Sequence, residues 1–191
     1  RNLSISLIQI NKNGNTEHKG FTTTYVKWHS EFREMLFDNI AYTDSTSTKL
    51  FGIMPKVGTQ TEVELLAKFR KMDKNLGNST WPSQTPYRVY YRNSGGRYWK
   101  IITDFQPEFF LNGRQSVSSR ETYLYFASKE SLQVAISALS SSLYYWFYAL
   151  HSDTRTNNPS DLKNLPLNLE ALSADHLIQL CSLGVALMND Y

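Results

Sequence analysis

A single cysteine, Cys181, excludes an internal disulfide, and its place in an apolar helical pattern reads as a core thiol. No two of the four histidines, His18, His29, His151 and His176, have the spacing of metal ligands. There is no glycine loop to cradle a phosphate, no Gly-x-Ser-x-Gly elbow and no cluster of carboxylates. Intrinsic catalysis is therefore not expected. No apolar run approaches the roughly 20 residues that cross a bilayer. The basic start is not followed by the long apolar run of a secretory leader. These absences point to a reducing, cytoplasmic setting with no membrane partner.

What is present is lopsided. Residues 1–100 carry 15 Lys and Arg against 8 Asp and Glu, and residues 101–191 carry 5 against 9. The window Lys68 to Lys100 holds eight basic residues and one acidic, Asp73. A basic half favours a polyanionic partner, although ordinary solubilising charge accounts for the same numbers.

Leu3 to Ile10 alternates as a strand, Asn13-Gly14 reads as a tight turn, and Phe21 to Trp28 as a second strand antiparallel to the first. A short helix is expected over Glu31 to Asn39, with Phe32, Met35, Leu36 and Ile40 on its apolar stripe. Ala41 to Lys49 reads as a loop or linker. A second helix is expected over Thr61 to Met72, opened by a Thr61/Glu64 capping box. Tyr87 to Arg92, Asn93-Ser94-Gly95-Gly96 and Arg97 to Ile102 form the clearest hairpin. Its alternation places Arg88, Tyr90 and Arg92 on one face and Tyr87, Val89 and Tyr91 on the other. Asp104 to Ser119 reads as irregular, Arg120 to Ala127 as a strand, and Lys129 to Ser137 as a helix capped by Ser128. Leu143 to Leu150 is an aromatic helix buried over most of its surface, followed by the polar loop Ser152 to Asn158. Ser173 to Asn189 is a final helix with Leu177, Ile178, Leu180, Cys181 and Val185 inside.

Two polar groups carry chemistry. Arg88, Arg92, Arg97 and Lys100 project from the hairpin with Tyr90, Tyr98 and Trp99 between them. Forked guanidinium groups on a ribbon suit phosphates or guanine edges, and aromatic rings stack on bases. A Tyr-rich hairpin with solvated arginines explains the same residues. Ser152, Thr154, Arg155 and Asn157 in the loop offer phosphate and base-edge contacts. There, too, a plainer reading exists: Asp153 turns the chain, and Asn158 before Pro159 caps the next short helix.

From Leu143 to Leu167, with the element Asn158-Pro159-Ser160-Asp161-Leu162-Lys163-Asn164-Leu165-Pro166, the chain resembles the C-terminal target-recognition region of bacterial N6-adenine-specific DNA methyltransferases and type II restriction-modification enzymes, the TaqI-like specificity domain. The Tyr123-Leu124-Tyr125-Phe126 strand and the Leu132 to Leu139 helix resemble it as well. At the front, Leu3 to Ile10 resembles the last strand of the catalytic domain, and Trp28 to Thr43 with Leu50 to Pro55 the connection out of it. The similarity covers about two thirds of the chain. The family's cofactor-binding glycine motif and its Asn/Asp-Pro-Pro-Tyr tetrapeptide are absent.

The resemblance implies an α/β or α+β fold, a small mixed sheet with packed helices. It implies a catalytic-domain remnant and connection over residues 1–45 and a DNA target-recognition domain over 46–191. No cofactor would bind this fragment; S-adenosylmethionine would bind the missing catalytic domain of the parent chain, which flips the adenine. Double-stranded DNA would be the partner. The candidate contacts are Arg88, Tyr90, Arg92, Arg97, Lys100, Arg114, Arg120, Ser152, Thr154, Arg155, Asn157 and Lys163. The alternative is a protein-interaction or scaffold module whose aromatic surface is the interface.

Overall fold

The computed structural model describes residues 19–25, 29–35, 37–38, 40–50, 52–94 and 102–191. The strand expected over Leu3 to Ile10, the Asn13-Gly14 turn, the end of the Phe21 to Trp28 strand and the hairpin residues Gly95 to Ile101 lie outside them. Arg97 and Lys100 are therefore also outside them.

The architecture is α+β, with helices packed on short antiparallel sheets. Every sheet pairing among the described residues is antiparallel, so the sheet is not the mixed one expected. The principal sheet has three strands: β3 (Arg88–Arg92) lies between β4 (Ile102–Thr103) and β7 (Glu121–Tyr125). Tyr91 pairs with Ile102 across one edge of β3. Across the other edge Arg88 faces Tyr125, Tyr90 faces Tyr123 and Arg92 faces Glu121.

Period-two alternation sends Val89, Tyr91, Leu124 and Phe126 into the core. Helix α2 (Lys129–Leu139) covers that face. It is capped by Ser128, whose hydroxyl accepts from the Ser131 amide at 3.1 Å. The aromatic helix α3 (Ser142–His151) completes this layer and buries Tyr144, Phe147, Tyr148 and Leu150. Leu143 and Tyr145 face solvent, so α3 is buried on one side rather than most of the way round.

Helix α1 (Gln60–Phe69) starts one residue earlier than expected and ends three earlier. The capping box is Thr59 with Glu62, not Thr61 with Glu64. Glu62 decides it, because its carboxylate accepts from the Gly58 and Thr59 amides and from the Trp146 indole N–H at 3.1 Å. That last bond ties α1 to α3.

The final helix α5 (Ala174–Asn189) lies across α2, with Gly184 as its one buried residue. An alanine Cβ at Gly184 would lie 2.3 Å from the Gln133 carbonyl oxygen, so the missing side chain is what permits the crossing. The Ser137 hydroxyl donates to the Leu180 carbonyl at the same contact. With α5 outside it, α2 is buried on nearly all sides. Ile178 and Val185, expected inside, are exposed on the flank of α5, and Cys181 is half-buried.

Three further expectations change. Strand β1 (Phe21–Thr22) pairs with β2 (Thr43–Asp44), which falls in the stretch read as linker. The expected helix after His29 is a 3-10 turn, Ser30–Met35, with Phe32 and Met35 exposed. The stretch read as irregular holds a hairpin, β5 (Phe109–Leu111) with β6 (Arg114–Ser116). Its turn is Asn112-Gly113, both at positive φ (53° and 76°), the pairing that matches strand twist in a two-residue loop. No helix of the described residues is long and apolar enough to cross a membrane.

Candidate nucleic-acid interface

The polar residues singled out in the sequence fall into two neighbouring groups. The first is the sheet face opposite α2. Alternation places Arg88, Tyr90 and Arg92 of β3 there, and the register with β7 adds Tyr123 and Tyr125. The Arg88 guanidinium carbon sits 5.5 Å from the Tyr90 ring centre and 5.9 Å from both Tyr123 and Tyr125. Each distance is within cation–π range, so three rings hold one planar cation in place. Tyr90 and Tyr123 meet edge to face at 6.0 Å, and Tyr123 and Tyr125 lie at 5.1 Å. Tyr90 is only 7 % exposed, which corrects its role: it is the floor of the cluster and not a contact residue. Tyr123, at 46 %, stands open to solvent.

At the end of β3 the Arg92 Nε–H donates to the Ser94 carbonyl at 3.0 Å and an Arg120 guanidinium N–H donates to the Ser94 hydroxyl at 3.1 Å. Both guanidinium groups are exposed and converge on one turn. Glu121 lies opposite Arg92 in register, and its carboxylate accepts from the Gln106 side-chain amide at 2.9 Å.

The second group is the loop after α3, and the backbone joins it to the first. The Asn157 amide donates to the Asn93 carbonyl at 2.8 Å, and the Asn93 amide donates to the Arg120 carbonyl at 2.8 Å. Inside the loop, Asp153 organises the chain. Its carboxylate accepts from the Arg155 and Thr156 amides at 2.8 and 2.7 Å and from the Thr156 hydroxyl at 3.0 Å. Thr154 takes positive φ (57°) to make that turn. Asn158 then caps the helix α4 (Pro159–Lys163), with Asp161 closing the box and Pro159 in its first turn.

Two loop candidates are consequently fold residues. Asn157 is fully buried and its side-chain oxygen accepts from the Tyr144 hydroxyl at 3.0 Å, so its amide cannot meet a base edge. Ser152 is 8 % exposed; its carbonyl accepts from the Lys56 ammonium and its hydroxyl from the Thr154 amide. Arg155 is exposed and Thr154 half-exposed. Lys163 is half-buried, and its Cβ lies close to Gly77. Arg114 is exposed on the separate β5–β6 hairpin. The sequence reading left out Tyr123 and Tyr125, although their alternation with Leu124 and Phe126 put them on the outward face. What it lacked was the pairing of β7 with β3.

Beneath the loop the electrostatics favour neutral groups. His151 stacks on Phe147 with ring centres 4.3 Å apart, and its Nδ1 lies 2.9 Å from the Phe147 carbonyl, while its buried Nε2 has no partner among the described residues. Burial, and secondarily the nearby Lys56 ammonium, hold its pKa below the ordinary value of 6.5. Burial lowers Lys56 as well, against the attraction of Asp153. Burial pushes the Tyr91 and Tyr148 hydroxyls up to about 12 and Tyr144 further still. For His151 the unfolded chain binds the proton more readily than the folded one. Its contribution to stability is therefore complete at neutral pH and is lost as pH falls below about 6.5. Urea titrations at pH 7.5, 6.5 and 5.5 should show that loss, and His151→Gln should flatten it.

Among the described residues no three His, Cys, Asp or Glu side chains gather to hold a metal ion. The small cavity under the loop, lined by Ile53, Phe147, Tyr148, His151 and Asp161, has a volume of about 10 Å³, room for about one water molecule. No known family model, curated protein or solved structure matches the chain.

Proposed function

We propose that the chain recognises DNA, and that it serves as the target-recognition part of an adenine-specific DNA methyltransferase or restriction-modification protein. The observation that carries this reading is the convergence of Arg92 and Arg120 on Ser94, beside the Arg88–tyrosine cluster and next to the Arg155 loop. Three guanidinium groups from β3 and the start of β7, with a fourth on the loop joined to them by the Asn93–Asn157 bond, supply the positive charge that a phosphate backbone calls for. S-adenosylmethionine and the chemistry of methyl transfer belong, in this reading, to a separate catalytic domain. The TaqI-like identity rests on the motifs around Asn158 to Pro166.

The test is fluorescence anisotropy with a labelled duplex at 50 and 200 mM salt. Arg92→Ala and Arg120→Ala should each weaken binding on every sequence and lower the salt slope by about one. Unchanged binding in both variants, or no binding at 50 mM salt, would overturn the reading.

An interaction module remains the second reading, favoured by a different observation. Phe21, Phe32, Met35, Phe37 and Tyr42 are all more than 45 % exposed, and they crowd a stretch of 22 residues. Exposed apolar side chains in that density are the kind of surface a partner covers. Under the DNA reading the same surface would meet the catalytic domain.

A further inference from the structure

We infer that the Arg88–Tyr123–Tyr125 face is a stacking platform for an unpaired nucleobase, and so takes DNA that is single-stranded or locally unpaired. This rests on the DNA reading above and adds the form of DNA that the face accepts.

The rings of a duplex are stacked on their neighbours, so a paired base offers a protein only its edge. A ring held rigid on an open β-sheet offers the opposite, a free π-face and few donors. Tyr123, the most exposed tyrosine of this face, is the ring we assign that part. Tyr90 props it from below, Tyr125 flanks it at 5.1 Å, and nearly half of its surface is open. The side chain loses little freedom on binding because its neighbours already fix it.

Arg88 supplies the charge. Its guanidinium lies within 5.9 Å of three ring centres, so it is a flat cation held against an aromatic surface and close to where a base would stack. Arg92, four residues along on the same face, is placed for the phosphate that follows such a base. At the outer edge of β7 the Trp81 amide donates to the Tyr125 carbonyl at 2.7 Å, and the Trp81 side chain is half exposed. Aromatic rings alternating with arginines suit a strand whose bases are free to stack, whatever their identity. The charge favours an anionic strand over an acidic peptide only in combination with these rings, since a carboxylate gains nothing from a π-face.

The experiment uses the whole chain and three labelled probes: an oligothymidine single strand, a fully paired duplex, and the same duplex with a central run of unpaired thymines. The unpaired duplex should bind about tenfold tighter than the paired one. Tyr123→Ala should erase that difference and weaken the single strand about tenfold, with a much smaller loss on the paired duplex. Tyr123→Phe should keep the preference, because stacking needs the ring and not the hydroxyl. Equal binding of paired and unpaired duplexes, with Tyr123→Ala neutral on both, overturns the platform but leaves DNA recognition standing. Absence of binding to all three probes overturns both.

Discussion

Phe147→Ala is expected to cost about 3–5 kcal/mol of folding stability, read as a lower urea midpoint with an unchanged slope. The ring is 2 % exposed at the centre of α3, where it meets Phe69 edge to face at 5.9 Å and lies against His151. Its removal opens a void between α1 and α3 that the surrounding rings are too rigid to fill. His151 would lose the ring it stacks on, so the acid sensitivity of the variant should shrink with its stability. A cost below about 1 kcal/mol would mean that α1 and α3 can close the gap, contrary to the packing described.

Gly184→Ala is the second. In a helix interior alanine ordinarily improves on glycine by about 1 kcal/mol. Here the sign reverses. The new Cβ would stand 2.3 Å from the Gln133 carbonyl oxygen and 2.9 Å from its carbonyl carbon, and that backbone belongs to the fully packed α2. Neither atom can turn aside as a side chain would. The two helices must separate, which breaks the Ser137–Leu180 bond and disturbs the contact of the Asp104 amide with the Met188 sulfur. A net loss of about 2–3 kcal/mol is expected. The result to look for is unfolding of α5 at lower denaturant than the sheet, seen as early loss of amide protection over Ala174–Asn189. A stabilised variant would show that α5 can pivot on α2.

Elements defined by local pattern were legible from residue order alone, and those defined by distant pairing were not. Ser128 and Ser173 announce α2 and α5, and the absence of glycine, proline and charge announces α3. The start of α1 was ambiguous because Thr59-x-x-Glu62 and Thr61-x-x-Glu64 overlap. Only the reach of Glu62 to Gly58 and Trp146 separates them, and the second of those contacts is tertiary. Asn112-Gly113 was a readable turn, masked by strands of three residues each. For the candidate interface, the arginines were visible as charge. The tyrosines acquired a role only through the pairing of β7 with β3, two strands separated by 28 residues of chain. Asn157 misled because polar residues in a loop look available; a hydroxyl from α3 had already taken it. Ile178 and Val185 were placed inside because α5 is apolar almost all round, whereas the helix is fastened along the line of Gly184.

The backbone bonds that join distant segments also bear on how the chain acquires its fold. The Lys56 amide waits for the Leu150 carbonyl, Leu76 for Leu165, and the Asn93 carbonyl for Asn157. On a ribosome the segment up to Ser94 would emerge before any of these partners, and Phe69, Leu76, Val89 and Tyr91 would remain uncovered until α2 and α3 were made. Such a topology forms late and as a unit, in milliseconds to seconds rather than microseconds. A nascent chain stalled before Ser142 is therefore a sticky intermediate and a natural client for chaperones. Truncations that spare the sheet but remove Ser152 to Pro166 should accumulate in aggregates instead of folding as smaller domains.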